Sequence, residues 1–272
     1  AALAYHGALG LVAAGGGAGW RSSIFAISRS LLQLWFGVGF CTAGVAIAFD
    51  VPGLYCKRAC GTIPAFVWTY LGGWMLVYRA LWLAKRALAR FGLEYKLDDR
   101  LCDVIADRLL LGRLTWDIPR LDGVPEVDMV VDMTCEWSEP LALRSVDDYL
   151  LTPVVDTTRP TVEQLRLVAE RVVGHLRDPS RGSVYIHCAN GYGRSAVATA
   201  AVLLLGGLCD TVEETVDLIK AARPVVSLDA KRQKHFCGAI PHAQLLHAFI
   251  EELGSDAESE ETSSSDPKLW CA

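Results

Sequence analysis

The sequence predicts an α/β fold, in which a central sheet is flanked by helices, preceded by an all-α transmembrane region of two or three helices. Three observations lead to this prediction. From about residue 93, apolar strand-like segments alternate with amphipathic helix-like segments, a pattern typical of a sheet covered by helices. The first 92 residues instead contain long segments without charge. The balance of charge also changes sign between the two parts.

Charge divides the chain at the same place as hydropathy. Residues 1–92 carry eight basic side chains and one acidic side chain, a balance of +7. The whole chain of 272 residues has a formal net charge of −5, which leaves −12 for the remainder. Such a division indicates two regions in different surroundings. The acidic part has no basic patch with interleaved aromatic residues, so we expect no nucleic-acid partner.

The first region is predicted to cross a membrane. Residues 31–49 contain no charge, and as a helix they would extend about 28 Å, against about 30 Å for the hydrocarbon core of a bilayer. Residues 61–83 contain one charged side chain, Arg79, which can extend to the interface. We therefore predict membrane helices over 31–49 and 61–83. Residues 1–20 are uncharged but rich in alanine and glycine, and a third span, a loose tail or the remainder of a longer segment fits them.

The flanking charges predict an orientation. Basic residues precede the first predicted helix and follow the second, whereas the loop between them holds only Lys57 and Arg58. Since positive flanks favour the cytosolic side, we predict that this loop lies outside and that the acidic domain faces the cytosol. The nine cysteines include no C-x-x-C pair, which fits a reducing compartment, and Cys56 and Cys60 are the candidates for a bridge. No zinc-binding spacing is present, so no metal or organic cofactor is expected.

The second region, residues 93–253, reads as one catalytic domain. Periodicity and turn residues predict strands over 107–114 (ending in a glycine turn), 128–134, 149–155 and 184–187, and helices over 161–176, 211–222 and part of 231–253. Thr161 with Gln164, and Thr211 with Glu214, have the spacing of capping boxes. Residues 254–272 are rich in serine and acidic residues and are predicted to form a disordered tail.

The residues most indicative of chemistry lie at 183–195, SVYIHCANGYGRS. Cys188 closes an apolar strand, and Arg194 opens an alanine-rich helix after five intervening residues. Gly191 and Gly193 tolerate positive φ, so the loop can curl until its backbone N–H groups point inward. Helix N-termini and nearby cations bind phosphate and lower the pKa of a thiol. This layout therefore predicts a phosphate site with an ionised Cys188, and the hydroxyl of Ser195 can hydrogen-bond the sulfur.

A second segment has the same spacing of cysteine and arginine. Cys102 precedes Arg108 by six positions, but the intervening residues contain no glycine and include Asp103 and Asp107, which would repel phosphate. We interpret Cys102 as an ordinary buried or half-buried cysteine. Spacing alone is therefore a weak signal, and strand, glycines, helix and serine together make a strong one.

The segment HCANGYGRS, from His187 to Ser195, resembles the signature loop of the cysteine-dependent protein tyrosine phosphatase superfamily, and within it the small dual-specificity phosphatases. The resemblance implies that Cys188 is the nucleophile, that Arg194 binds phosphate and that His187 supports the neighbouring sulfur. It also implies a general acid on a loop about thirty residues upstream, where Asp156 lies. Asp147 and Asp148 are rivals for this role. The implied phosphate-binding residues are Ala189, Asn190, Gly191, Tyr192, Gly193 and Arg194.

Two further segments resemble surroundings of the pocket in this family. Residues 136–140, which begin with Glu136, resemble a variable loop that could contact substrate, although a surface loop without a functional role fits equally well. Arg223 with Gln233 resembles a late segment in which a glutamine positions water.

The predicted substrate is a protein carrying phosphotyrosine or phosphoserine/threonine. Ala189, Asn190 and Tyr192 supply no cation, unlike the loops of phosphoinositide phosphatases. The acidic domain would therefore bind a polyphosphorylated headgroup weakly. One alternative is a phosphomonoester of a membrane lipid, of the phosphatidylglycerophosphate kind, since the predicted helices place the domain at a bilayer. Another is an inactive phosphatase-like binding module, against which the intact set of Cys188, Arg194, Ser195 and Asp156 counts.

Overall fold

The computed structural model of the chain describes residues 20–91, 100–226, 228 and 242–260. The chain divides into two compact units, one formed by Ala1–Arg58 with Ile63–Asp99, the other by Ala59–Thr62 with Arg100–Ala272. The first is helical where it is described, and the second contains a five-stranded sheet flanked by helices. The predicted α/β fold, a central sheet flanked by helices, is confirmed.

The first unit contains two helices, α1 (Trp20–Ala48) and α2 (Trp68–Arg90), with two short 3₁₀ turns between them. Glycines let these helices approach closely. A Cβ added to Gly39 would lie 2.8 Å from the backbone nitrogen of Trp74, and the indole of Trp35 donates a hydrogen bond of 2.9 Å to the carbonyl of Trp68. Small residues at such crossings allow backbone contact, as in helix pairs within membranes.

Both helices differ in their bounds from the prediction. α1 begins at Trp20 instead of residue 31, and it includes both Arg21 and Arg29. α2 begins at Trp68 instead of residue 61, since Gly61 has a φ of +78° and Pro64 has extended backbone. Among the described residues, Ile24–Ala48 is the helix long and apolar enough to cross a membrane. The number of membrane helices stays a prediction, and most of residues 1–20 lie outside the described part of the chain.

Part of the loop between the helices is grouped with the α/β domain. Its residues Ala59–Thr62 belong to the same compact unit as that domain. The predicted orientation of the domain towards the cytosol stays a prediction. Cys56 and Cys60 are free thiols, so the candidate bridge between them is not formed.

The sheet of the second unit has the strand order β1-β2-β5-β3-β4. Its strands are β1 (Cys102–Ala106), β2 (Leu109–Arg113), β3 (Val127–Thr134), β4 (Asp148–Val154) and β5 (Ser183–Cys188). β1 pairs antiparallel with β2, and the other neighbours pair in parallel. Every residue of the central strand β5 is buried, which explains its continuous apolar sequence.

Helices cover the sheet unequally. They are α3 (Leu141–Arg144), α4 (Val162–Leu176), α5 (Arg194–Leu205), α6 (Val212–Ala222) and α7 (His242–Glu260). α4 to α7 contribute to one large apolar core with the sheet, while a smaller cluster that includes Leu143 and Tyr185 lies on the opposite face. Both predicted capping boxes are present, at Thr161 and at Thr211. α7 continues through Glu260, into the segment predicted to be a disordered tail.

The second cysteine–arginine segment folds as a hairpin. The predicted strand over 107–114 is β2 alone, and Cys102 lies on β1, joined to it by a turn in which Arg108 has a φ of +54°. The guanidinium of Arg108 donates to the carbonyls of Asp178 (3.0 Å) and Arg181 (2.9 Å). Burial raises the pKa of Cys102 to about 11, as expected for a structural cysteine. Gly112 was predicted to end the strand, but it lies within β2. An added Cβ there would lie 2.6 Å from the Tyr185 hydroxyl, which leaves no room for a side chain.

Candidate active site

The cysteine–arginine loop, residues 189–193, connects the carboxyl end of β5 to the first residue of α5. β5 lies between β2 and β3 and is parallel to both. The loop therefore lies where the carboxyl ends of three parallel strands meet, the edge at which open α/β sheets bind ligands.

Two glycines shape the loop in different ways. Gly191 has a φ of +73°, and a Cβ there would lie 2.6 Å from the carbonyl oxygen of Gly112 in β2. Gly191 is thus required both by its dihedral angle and by its close approach to the sheet. Gly193, the N-cap of α5, has a φ of −122° and does not use the positive φ that glycine tolerates. An added Cβ at Gly193 would lie 3.3 Å from Nε2 of His242.

The thiol of Cys188 receives hydrogen bonds from two sides. The backbone N–H of Gly191 donates to Sγ over 3.2 Å, and the hydroxyl of Ser195 donates over 3.3 Å. Burial by itself would raise the pKa of this thiol. The charge of Arg194, the Ser195 hydroxyl and backbone amides of the loop outweigh that effect, and the pKa of Cys188 is lowered from its ordinary value. The arrangement favours a thiolate.

The guanidinium of Arg194 is buried between two carboxylates. It forms a two-point ion pair with Glu136, with distances of 3.0 Å from Nη1 to Oε2 and 2.8 Å from Nη2 to Oε1. Nη2 also donates to Oδ1 of Asp156 over 2.9 Å, and Nη1 to the carbonyl of Val154 over 2.8 Å. Burial opposes the charge of Arg194, but Glu136, Asp156 and Cys188 together raise its pKa well above the ordinary value. The guanidinium group of Arg194 is therefore held in one orientation and stays charged.

Asp156 lies on the loop between β4 and α4, as predicted, and its side chain reaches the site. The side chain of Asp156 is 28% exposed, while that of Arg194 is 4% exposed. The next residue, Thr157, has a φ of +72°, which is unusual for a β-branched residue and indicates a constrained turn. The rivals lie elsewhere: Asp148 pairs with Arg171 at 3.1 Å, and Asp147 is exposed. The structure thus brings Cys188, Ser195, Arg194 and Asp156 together.

The phosphate-binding positions without charge also lie on this loop. Ala189 is buried, whereas Asn190 and Tyr192 are half-buried. The guanidinium of Arg223 lies 6.0 Å from the centre of the Tyr192 ring.

His187 contacts a carboxylate behind the loop. Its Nε2 lies 3.2 Å from Oε1 of Glu139, and both side chains are fully buried. The ring of His187 stacks on Tyr185, with 5.3 Å between ring centres. Among the described residues, the ligand atoms of Asp132, Glu139 and His187 lie within 4.8 Å of one another, which is the spacing of a metal site. Asp132 already accepts hydrogen bonds from the Tyr149 hydroxyl (2.7 Å) and from Thr134 (2.8 Å), so a cation would have to displace them.

Four further residues shape the site, and three of them lie in segments that the sequence analysis named without giving them their observed role. Glu136, considered as a substrate contact or as part of a surface loop without a functional role, is instead buried against Arg194. Its signal was its place just after a buried strand, because the carboxyl ends of neighbouring parallel strands converge. Glu139 had no such signal. Arg223 donates from Nε to the Gly191 carbonyl over 2.9 Å and pairs with Asp103 at 2.6 Å.

The fourth of these residues is His242, at the start of α7. Burial, assisted by the charge of Arg159, lowers the pKa of His242 to about 4, so its imidazole is neutral at physiological pH. Gln233, which the sequence analysis paired with Arg223, lies outside the described residues.

No protein-family model and no curated protein matches the sequence. Solved structures do resemble it. PTPMT1 in complex with PI(5)P is 21% identical, with a TM-score of 0.46, over 58% of this chain and 99% of PTPMT1. Human DUSP28 is 18% identical, with a TM-score of 0.43, over 58% of this chain and 98% of its own. The human tyrosine phosphatase-like serine/threonine/tyrosine-interacting protein is 17% identical, with a TM-score of 0.43, over 58% of this chain and 99% of its own.

The family resemblance of the signature loop stays a prediction. The solved structures similar to this chain carry the names of dual-specificity and tyrosine phosphatases. The chemistry is inferred below from the residues of the loop.

Proposed function

We propose that the chain is a cysteine-dependent phosphoester hydrolase that removes phosphate from phosphotyrosine and phosphoserine/threonine proteins. One observation carries the proposal: the Cys188 thiol accepts hydrogen bonds from the Gly191 amide and the Ser195 hydroxyl, and its pKa is lowered beside Arg194. A buried cysteine with only a packing role would be expected to have a raised pKa, as Cys102 has.

In the first step, the Cys188 thiolate attacks phosphorus. A sulfur–phosphorus bond forms, the ester P–O bond breaks, and the leaving oxygen takes a proton from the carboxyl group of Asp156. The loop amides and Arg194 stabilise the charge on the phosphoryl oxygens. Because Asp156 now bonds Nη2 of Arg194, we propose that the incoming phosphate displaces it, which frees its carboxyl group to protonate the leaving oxygen.

In the second step, water hydrolyses the phosphocysteine. The Asp156 carboxylate accepts a proton from the water, a P–O bond forms and the S–P bond breaks. Ser195 stabilises the departing thiolate, since its hydroxyl already donates to Sγ over 3.3 Å. His187 supports the strand end from which Cys188 projects.

A single phosphate group fits the charge of this site best. Arg194 is balanced by Glu136 and Asp156, and Ala189, Asn190 and Tyr192 add no cation. This balance disfavours a substrate with several phosphates and supports a phosphoprotein.

A lipid phosphomonoester is the second candidate, and the helix of Ile24–Ala48 is the observation that favours it, because it is apolar and long enough to hold the domain at a bilayer. An integral membrane location with the domain facing the cytosol stays part of the proposal. An inactive binding module would not need the hydrogen-bonded thiolate at Cys188.

The decisive test compares two cysteines in the full chain purified in detergent. Cys188→Ser should abolish hydrolysis of an aryl phosphate, whereas Cys102→Ser, in the other segment of the same spacing, should leave it within about twofold, as expected for a residue away from the site. Absence of hydrolysis by the unaltered chain, or equal loss in both variants, would overturn the proposal.

A second experiment distinguishes the two candidate substrates. Asp156→Ala should bind substrate without releasing it, and the captured molecules are then identified as proteins or as lipids.

A further inference from the structure

The loop between α1 and α2 contributes four residues, Ala59–Thr62, to the unit that holds the active site. The buried Gly61 is the point of contact. Its carbonyl accepts a hydrogen bond of 2.7 Å from the backbone N–H of Glu139. Gly61 has a φ of +78°, and an added Cβ would lie 2.6 Å from the Tyr149 hydroxyl and 2.8 Å from Cβ of Glu139. The loop fits against this surface with no room for a larger residue.

Beneath Gly61 lies a closed group of three side chains, Asp132, Glu139 and His187, which we name the carboxylate–histidine cluster. All three side chains are buried, and Nε2 of His187 lies 3.2 Å from Oε1 of Glu139. Burial raises the pKa of Glu139 to about 7, with His187 opposing this shift and Asp132 adding to it. The cluster therefore depends on exclusion of water, which Gly61 helps to provide.

The cluster is adjacent to the nucleophile along the chain. His187 is the penultimate residue of β5, and Cys188 is the last. The groups that face the cluster come from every element around it. Tyr149 on β4 donates a hydrogen bond to Asp132, and Tyr185 on β5 stacks on His187. Cys60 lies on the loop, and its charge as a thiolate would act on Tyr149.

We propose that Ala59–Thr62 is a positioning element of the active site. By closing the carboxylate–histidine cluster, it fixes His187 and thereby holds the end of β5 where the Cys188 thiol meets its hydrogen-bond donors. The inference concerns the ionisation of that thiol and rests on the proposed function only for the claim that this ionisation serves catalysis.

The test measures the titration of Cys188 in the full chain, by its rate of alkylation with iodoacetamide across pH, which requires no turnover. Gly61→Ala should raise the apparent pKa, so that alkylation below that pKa slows by about threefold, equivalent to roughly half a pH unit. Gly53→Ala is the matched control in the same loop, because a Cβ there meets nothing within 4 Å. Gly123→Ala controls for backbone strain, since Gly123 has a φ of +76° and equally open surroundings.

Glu139→Gln keeps the test decisive if Gly61→Ala does not fold. It changes the cluster without a collision at the loop, and it should shift the Cys188 titration in the same direction. Adding Gly61→Ala to it should then shift the titration less than Gly61→Ala does alone. An unchanged titration in Glu139→Gln, or a shift as large in Gly53→Ala as in Gly61→Ala, would overturn the proposal. A chain that alkylates as described but hydrolyses no phosphoester would instead refute the proposed function alone.

Discussion

At the scale of single residues, the site balances one buried cation against two carboxylates. Arg194 is 4% exposed and Glu136 is 1% exposed, and their two-point contact leaves neither charge to water. Breaking a buried pair by removing one partner typically costs about 3–5 kcal/mol, because the other charge stays buried. Exposed pairs contribute about 0–1 kcal/mol. Glu136 is therefore expected to matter for the fold as well as for the orientation of the Arg194 guanidinium.

This difference gives a paired prediction. Glu136→Gln should lower the melting temperature markedly and reduce hydrolysis by tenfold or more, about 1.4 kcal/mol of transition-state stabilisation. Asp148→Asn removes one partner of a comparable two-point pair with Arg171, whose side chain is 59% exposed, and should change stability by less than about 1 kcal/mol. Thermal unfolding with aryl phosphate kinetics compares the two. Equal losses would show that Glu136 has no special role.

Cys188 predicts the pH dependence of hydrolysis, and Asp156 its dependence on the leaving group. Since the pKa of Cys188 is lowered, the thiolate persists to lower pH, and the rising limb of the rate profile should lie below the ordinary thiol range. Asp156→Asn should slow esters with poor leaving groups by about a hundredfold, the usual contribution of a general acid, and affect esters with good leaving groups much less. Asp147→Asn, at the exposed rival position, should change neither rate. Equal losses on both kinds of ester in Asp156→Asn would mean that another group donates the proton.

Local residues of the site could be predicted from sequence because strand, loop and helix are continuous there. Cys188, Gly191 and Arg194 lie within seven positions, so their geometry follows from one turn of chain. Glu136 lies fifty-eight positions from Arg194. Its role depends on β3 lying beside β5, and sheet order is a long-range property that spacing does not reveal.

At the scale of elements, the connection from β5 to α5 depends on a close approach to β2. Gly191→Ala should reduce hydrolysis by about a hundredfold, because a displacement of about 1 Å at a reacting centre has effects of that size. Gly207→Ala, at a φ of +69° after α5 with nothing within 4 Å, should cost about 1 kcal/mol of stability with activity unchanged. Kinetics on both variants, checked for folding by circular dichroism, would contradict this account if the two behaved alike.

Helix starts with local signals were predictable, and elements shaped by tertiary contacts were not. The capping boxes at Thr161 and Thr211 act within four residues, and both are present. β1 escaped prediction because its alternation is short and includes Asp103, whose charge is explained by its pairing with Arg223 from far along the chain. The α2 boundary was placed early because the apolar residues after Gly61 look helical by composition, while Gly61 belongs to the other unit.

At the scale of the whole molecule, the division of the chain constrains how it can meet a membrane. If α1 and α2 both crossed a bilayer, the loop between them would lie on one side and the chain after Arg90 on the other. Ala59–Thr62 and the α/β domain form one unit, and we therefore predict a single crossing. A single crossing by Ile24–Ala48 keeps the loop and the domain together, and it requires α2, with its buried Arg86 and its terminal Arg90, to remain on that side.

The resulting prediction concerns sidedness. The full chain, with Cys60 retained as the reactive thiol, is placed in sealed vesicles and treated from outside with an impermeant maleimide and with a protease. The molecules that the maleimide labels should be the same molecules whose α/β domain the protease cuts. Cys60 is exposed, so reagent can reach it. Detergent should make both sites accessible in all molecules, which serves as the control for reactivity. Labelling confined to molecules that the protease leaves intact would place the loop and the domain on opposite sides, and the single-crossing arrangement would be wrong.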